Sequence, residues 1–310
     1  MIHPDLLRYL ADWTQAWASL PPGAGPKERR AHFEIVAAAM RAPHPSGIET
    51  EEHHVDVGGA GRQVRVRIFR PGDRVPRPAL IYMHGGAFMQ GSPETHWEIT
   101  AGIAAATDQV VISVDYALAP EHPFPAAVND CSAVVRWCFE KAADLGLRRD
   151  AIAIGGDSAG ANLAAAQTLV FRGTDYVLRG QLLAYPGVDF RLDRDSHREN
   201  FDGPIISVAA MPRVNAMYCP NPRDRNNPLA APLLAESHAG LPPAFIAVAE
   251  HDPLRDEGVA YAEALREAGV PVELDRGAGL IHGYLRAMTY CSDVQSRFDR
   301  MCRWLRTLHA

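Results

Sequence analysis

Five unbroken apolar runs constrain this chain more than any other feature. They read PALIYMHGG, QVVISVDY, AIAIGG, GQLLAYP and AFIAVAEHD. A strand with one face in water alternates polar and apolar residues, so an uninterrupted run requires cover on both faces. Helical patterns over residues 94–107, 125–145, 161–172 and 256–268 lie between most of the runs. Apolar strands alternating with helices predict an α/β fold with a mostly parallel central sheet. HHVDV and QVRVRIF, on either side of GGAG, predict an antiparallel hairpin at its edge. A last strand is expected in PVELDRG.

Two segments stand outside this alternation. In the first 45 residues Leu6, Leu7, Leu10, Trp13 and Trp17 recur at helical steps. PPGAGPKE is expected to break that helix, with a second, short one over residues 31–40. From about 189 to 242 there is no clear strand, many prolines and charge-rich DFRLDRDSHREN and NPRDRNNP. Connections this long usually cover sites. The expected organisation is therefore a helical cap segment (1–45) and a catalytic α/β domain (46–310) that carries a cap-type insertion at about 189–242.

The chain has 310 residues, 47% hydrophobic and 22% charged, with a net charge of −6. That balance suits a globular protein and offers no electrostatic reason to bind nucleic acid. No apolar stretch is long enough to span a bilayer. MIHPDLLRYLADWTQAW does not read as a signal peptide, so a cytoplasmic location is expected. The five cysteines are scattered without paired ligand spacing. They are expected to stay reduced, with Cys131 and Cys138 in core packing and no metal site.

Ligands of parallel sheets bind outside the carboxyl ends of the strands. At those ends stand His84-Gly85-Gly86, Asp115-Tyr116, Gly156-Asp157-Ser158, Pro186-Gly187 and Glu250-His251-Asp252. The stretch AIAIGGDSAGANLAA sets Ser158 between Gly156 and Gly160, after a strand and before a helix. That is the context in which G-x-S-x-G presents a nucleophile on a tight turn. A serine hydroxyl needs a base. His282, in GLIHGY, follows the last strand and lies downstream of both serine and acid, in the chain order this arrangement requires. His84 suits a backbone role better, and His3, His32, His197 and His309 are expected to be solvated. Asp252 directly follows its strand and is the chosen acid, with Glu250 and Asp256 as weaker rivals. Glycine-rich HGGAF and the first turn after the serine offer N–H groups of Gly85, Gly86, Ala87 and Ala159 to a developing oxyanion.

HGGAF, DYALAPEHPFPAA, GDSAGAN, DPLRDEG and IHGY, in this order, resemble the hormone-sensitive-lipase-like family of α/β-hydrolase esterases. The resemblance runs from about residue 75 to the C-terminus, with the N-terminal helices similar to that family's cap. It implies a serine carboxylesterase with Ser158, Asp252 and His282 as its triad, Gly85, Gly86 and Ala87 in the oxyanion loop, and no cofactor. Three positions depart from the pattern. Ala87 replaces a glycine, which is costly if φ is positive there. Ala161 replaces another glycine, and Ala117 replaces an arginine, removing one option for an ion pair.

The expected partner is a small-molecule ester of short to medium acyl length. Its pocket is expected among Phe88, Met89, Trp13, Trp17, Phe33, Met40, Met211 and Met217, although packing of the cap on the body is the better explanation for any single one of these. An amidase or deacetylase using the same triad stays open, as does a non-catalytic receptor, which His282 argues against. A sheet edge or the last helix (residues 284–309) leaves a homodimer open.

Overall fold

The computed structural model describes residues 1–310 apart from Gly59, Ala60, Arg74 and Ala310. All five apolar runs are strands. The sheet comprises β1 (Ile48–Val57), β2 (Arg62–Pro71), β3 (Arg77–Met83), β4 (Val110–Asp115), β5 (Leu147–Asp157), β6 (Gln181–Ala184), β7 (Ala244–Ala247) and β8 (Val272–Asp275). Its order is β1-β2-β4-β3-β5-β6-β7-β8. β1 and β2 form the antiparallel edge hairpin, and β4, β3 and β5 to β8 run parallel. Two residues of the GGAG turn, Gly59 and Ala60, lie outside the described residues.

Side-chain alternation makes two cores from one sheet. In β3, Ala79, Ile81 and Met83 point into one core, Leu80 and Tyr82 into the other. β4 divides in the same way, with Val110, Ile112 and Val114 opposite Val111. The first core is closed by α4 (Ala126–Glu140), α5 (Ala159–Phe171) and α8 (Arg255–Glu267), through residues such as Val128, Leu163 and Tyr261. The second is closed by α3 (Trp97–Thr107) and α9 (Ser292–Thr307), through Ile99, Ile103, Phe298 and Met301. Cys131 and Cys138 are fully buried on α4.

The N-terminal segment forms α1 (Pro4–Trp17) and α2 (Pro26–Met40). α2 starts five residues before the expected boundary. Pro26 sits in the first turn, where a missing N–H costs nothing, and the Glu28 carboxylate accepts from Gly25 N–H at 2.7 Å. PKE therefore begins the second helix instead of only ending the first. Tyr9 of α1 meets Tyr290 edge-on at 5.4 Å, and Trp13 and Trp17 pack on Phe33 of α2.

Residues 189–242 hold short helices and no strand, among them α6 (Asp195–Glu199) and α7 (Met211–Tyr218). Ser196 fastens this segment to the start of α8, its hydroxyl donating to Pro253 O (2.6 Å) and its N–H to Asp256 (2.8 Å). The last helix is shorter than expected. A separate 3₁₀ turn covers Tyr284–Ala287 and α9 begins only at Ser292. Among the described residues no helix is long and apolar enough to cross a membrane.

Candidate active site

Ser158 occupies the turn between β5 and α5 with φ +53° and ψ −121°. The two flanking glycines are steric requirements. A Cβ on Gly156 would lie 2.4 Å from Met83 O, and one on Gly160 would lie 2.0 Å from the same atom. The turn thus presses against the end of β3, and only glycine fits on either side. Ser158 N–H donates to Ala184 O at 2.8 Å, which anchors the strained turn to β6.

The structure brings Ser158, His282 and Asp252 together. Ser158 Oγ lies 2.9 Å from His282 Nε2, and His282 Nδ1 lies 2.7 Å from Asp252 Oδ2. Asp252 is fully buried and His282 nearly so. The other Asp252 oxygen accepts from Leu254 N–H at 2.8 Å. With Nδ1–H directed at a carboxylate, Nε2 has its lone pair free for the serine proton. The ring of His282 also meets the Tyr185 ring, with centroids 4.9 Å apart.

The rival acids are engaged elsewhere. Glu250 accepts from Gly279 N–H at 2.7 Å and so braces the loop that carries His282. Asp256 binds Ser196 and Arg255. His197, expected in solvent, is buried, and its Nε2 stands 3.3 Å from the equally buried Glu257. Glu257 accepts from the N–H groups of Val188 and Asp189 at 2.8 and 2.9 Å. Burial raises its carboxyl above the usual range.

After β3 the chain turns toward Ser158 through Gly85, Gly86 and Ala87. Gly86 has φ +134°, and a Cβ there would come within 2.0 Å of Gln90 O. Ala87 has φ +55°, so the alanine occupies the left-handed region in which it is costly. Gly85 corrects the sequence expectation. Its N–H donates to Asp157 Oδ1 at 2.9 Å and is no longer a free donor. Among the described residues the N–H groups of Gly86, Ala87 and Ala159 donate no hydrogen bond. At Gly85 the glycine serves close approach, since a Cβ would lie 2.4 Å from Asp157 Oδ2.

Two clefts meet at Ser158. One is lined by Phe88, Phe190, Leu192, Ile206, Met211 and Val214, with Glu257 among its polar residues. The other lies between Ser158, His282 and Gly86 on one side and Tyr9, Trp13, Phe33 and Arg286 on the other. Of the expected pocket residues, Phe88, Met211, Trp13 and Phe33 line these clefts. Four do not. Trp17 packs on Phe33 and His32, Met89 is buried, Met217 packs against the first core, and Met40 lines a separate small recess. Phe190, Leu192, Ile206, Val214, Tyr185 and Arg286 escaped the sequence reading. Only the position of the 189–242 insertion signalled the first four.

Ala117 and Ala161 also find their places. Ala117 N–H donates to Asp130, and Arg62 of β2 forks onto the same carboxylate, supplying the cation that residue 117 lacks. Ala161 is fully buried against the first core.

Comparison with known proteins agrees with this architecture. A family profile described as an α/β hydrolase fold matches residues 80–286. Esterase LipI of Mycobacterium tuberculosis is 42% identical over 262 residues, 82% of this chain and 81% of LipI. Carboxylesterase NlhH of the same species is 38% identical over 271 residues, 85% of this chain and 84% of NlhH. The crystal structure of a hyperthermophilic esterase from the archaeon Pyrobaculum calidifontis superimposes with a TM-score of 0.90 at 34% identity, covering 99% of this chain and 98% of that one. The chain belongs to the α/β-hydrolase family, in its hormone-sensitive-lipase-like branch.

Proposed function

We propose that this chain is a serine carboxylesterase acting on small esters of short to medium acyl chain. It is a carboxylic ester hydrolase by its family and its esterase relatives. The observation that carries the mechanism is the continuous relay from Ser158 Oγ through His282 to buried Asp252, at 2.9 and 2.7 Å.

In this reading His282 Nε2 takes the Ser158 proton as Oγ attacks the ester carbonyl. Asp252 stabilises the imidazolium that forms. Charge on the carbonyl oxygen develops toward the N–H groups of Gly86, Ala87 and Ala159, which have no acceptor among the described residues. His282 then gives its proton to the leaving alcohol, and the alcohol departs. Water, deprotonated by His282, attacks the acyl-Ser158 carbonyl, and the carboxylic acid leaves as the proton returns to Oγ.

The apolar lining beside Phe88 and Met211 suits a short to medium acyl chain. Residues 1–45 and 189–242 act as a cap, since both contribute walls to the clefts above Ser158. Hydrolysis of p-nitrophenyl esters from acetate to palmitate tests this. Activity concentrated on the shorter esters is expected. Equal or higher rates on palmitate would overturn the chain-length assignment, and inactivity on every ester would overturn the function.

A further inference from the structure

Arg286 stands four residues after His282, its guanidinium 4.8 Å above the Phe33 ring in the wall of the second cleft. It donates through Nη1 to Thr95 O and through Nη2 to His96 Nε2, each at 2.6 Å. A guanidinium only donates, so Nε2 of the fully buried His96 must carry a lone pair. The ring proton then sits on Nδ1, 2.9 Å from Thr95 Oγ1, and the Thr95 hydroxyl donates its own hydrogen bond to Ser92 O. His96 Nε2 lies 3.2 Å from Gly85 N and 3.3 Å from Asp157 Oδ1, the oxygen that receives Gly85 N–H.

We propose that Arg286 is a positioning residue for the oxyanion loop, acting by fixing the tautomer of His96. The inference rests on the reading of Gly86 and Ala87 as oxyanion donors. While Nε2 is a lone pair, Asp157 Oδ1 is left to Gly85 N–H and Tyr82 O–H, and the Gly85 peptide is held in one orientation. The next two residues, Gly86 and Ala87, line one cleft with Ser158. Without Arg286, Nε2 can take the ring proton and donate to Asp157 Oδ1, in competition with Gly85 N–H for the same oxygen. The loop is then released at the residue on which its direction depends. The electrostatics agree. Burial and the Arg286 charge both push the His96 imidazole down, which keeps it neutral.

The test combines kinetics with nitrogen NMR of the His96 ring. In the native enzyme His96 should be the Nδ1–H tautomer. In Arg286→Met the proton should move to Nε2. kcat on p-nitrophenyl butyrate should fall about 10- to 100-fold, as for a misdirected oxyanion donor, with KM within about twofold. A trifluoromethyl ketone, whose adduct with Ser158 is an oxyanion, should weaken by the same factor. His96→Gln, whose carbonyl can accept from Arg286 and Gly85, should stay within about fivefold of native, whereas His96→Leu should match Arg286→Met. An Nε2–H tautomer in the native enzyme, unchanged kcat in Arg286→Met, or a rise in KM alone would overturn the proposal. Ser158→Ala, assayed alongside, separates the two levels of argument. If it retains activity, the underlying catalytic reading fails. If it is inactive while Arg286→Met is unaffected, only the positioning role fails.

Discussion

His251 and Ile281 form a parallel backbone bridge beyond the ends of β7 and β8, with His251 N–H donating to Leu280 O at 2.8 Å. The next residue on each chain is Asp252 and His282. Asp252 and His282 are therefore neighbours because two adjacent parallel strands extend their pairing by one rung. Ser158 reaches them from β5, two strands from β7 and three from β8, on a turn that leads into α5. Three loops separated by many residues converge because parallel strands deliver their carboxyl ends to one side.

The alanine at position 87 leads to a contrast between neighbours. A left-handed non-glycine residue costs about 1–2 kcal/mol, and glycine returns about 0.4–1 kcal/mol of that as unfolded-state entropy. Ala87→Gly should therefore stabilise the protein by about 0.5 kcal/mol in urea unfolding with little change in kcat. Gly86→Ala should do the opposite, because its Cβ would collide with Gln90 O. A loss of about 100-fold in kcat is expected from the displaced loop. Equal behaviour of the two variants would show that the backbone angles there are not maintained in solution.

The apolar cleft can be shortened from the insertion side. Met211→Trp should lower the rate on p-nitrophenyl octanoate about tenfold relative to butyrate, since a few methylenes of pocket depth are worth 1–3 kcal/mol. An unchanged ratio would place the acyl chain in the other cleft.

His84 predicts acid sensitivity. It is fully buried, stacked on Tyr116 at 4.2 Å, and burial, then His96, push its imidazole down to about 3. An unfolded histidine takes up a proton near pH 6.5. Between these values the unfolded chain holds a proton that the folded chain does not, so stability is complete above about pH 6.5 and falls as the pH drops. From pH 6.5 to 5 this one group should remove about 1.5 kcal/mol. His84→Phe, which keeps the stacking without the titration, should lose that much less over the same interval in urea unfolding. Identical pH slopes would show that His84 is protonated without penalty.

Arg62 and Asp130 predict a large loss from one truncation. Asp130 is fully buried and meets Arg62 Nη1 at 2.6 Å. Arg62→Met leaves that carboxylate, among the described residues, with the Ala117 N–H alone and should destabilise the fold by about 3 kcal/mol. Arg62→Met combined with Asp130→Asn should recover much of it. If the single variant were neutral, the pair would be dispensable.

Much of this molecule is legible from local pattern. Unbroken apolar runs such as AIAIGG specify doubly covered strands, and glycines at 156 and 160 are readable because the turn admits nothing larger. The start of α2 at Pro26 was missed because proline is both a breaker and a favoured first-turn residue. The commitment of Gly85 N–H to Asp157 was not legible. It depends on two strand ends meeting, and the sequence does not state that β3 and β5 are neighbours. The same holds for His197 and Glu257, sixty residues apart and buried together. Trp17, Met40, Met89 and Met217 were expected at the pocket because they are large and apolar, a property that packing uses as readily as binding.

The central claim is that Ser158 is the nucleophile, and covalent capture tests it most directly. A p-nitrophenyl alkylphosphonate should release one equivalent of nitrophenol per chain and leave one adduct, which peptide mass spectrometry should locate on Ser158. Ser158→Ala should form no adduct and hydrolyse no ester. An adduct on another residue accompanied by loss of activity, or full ester hydrolysis by Ser158→Ala, would contradict the account.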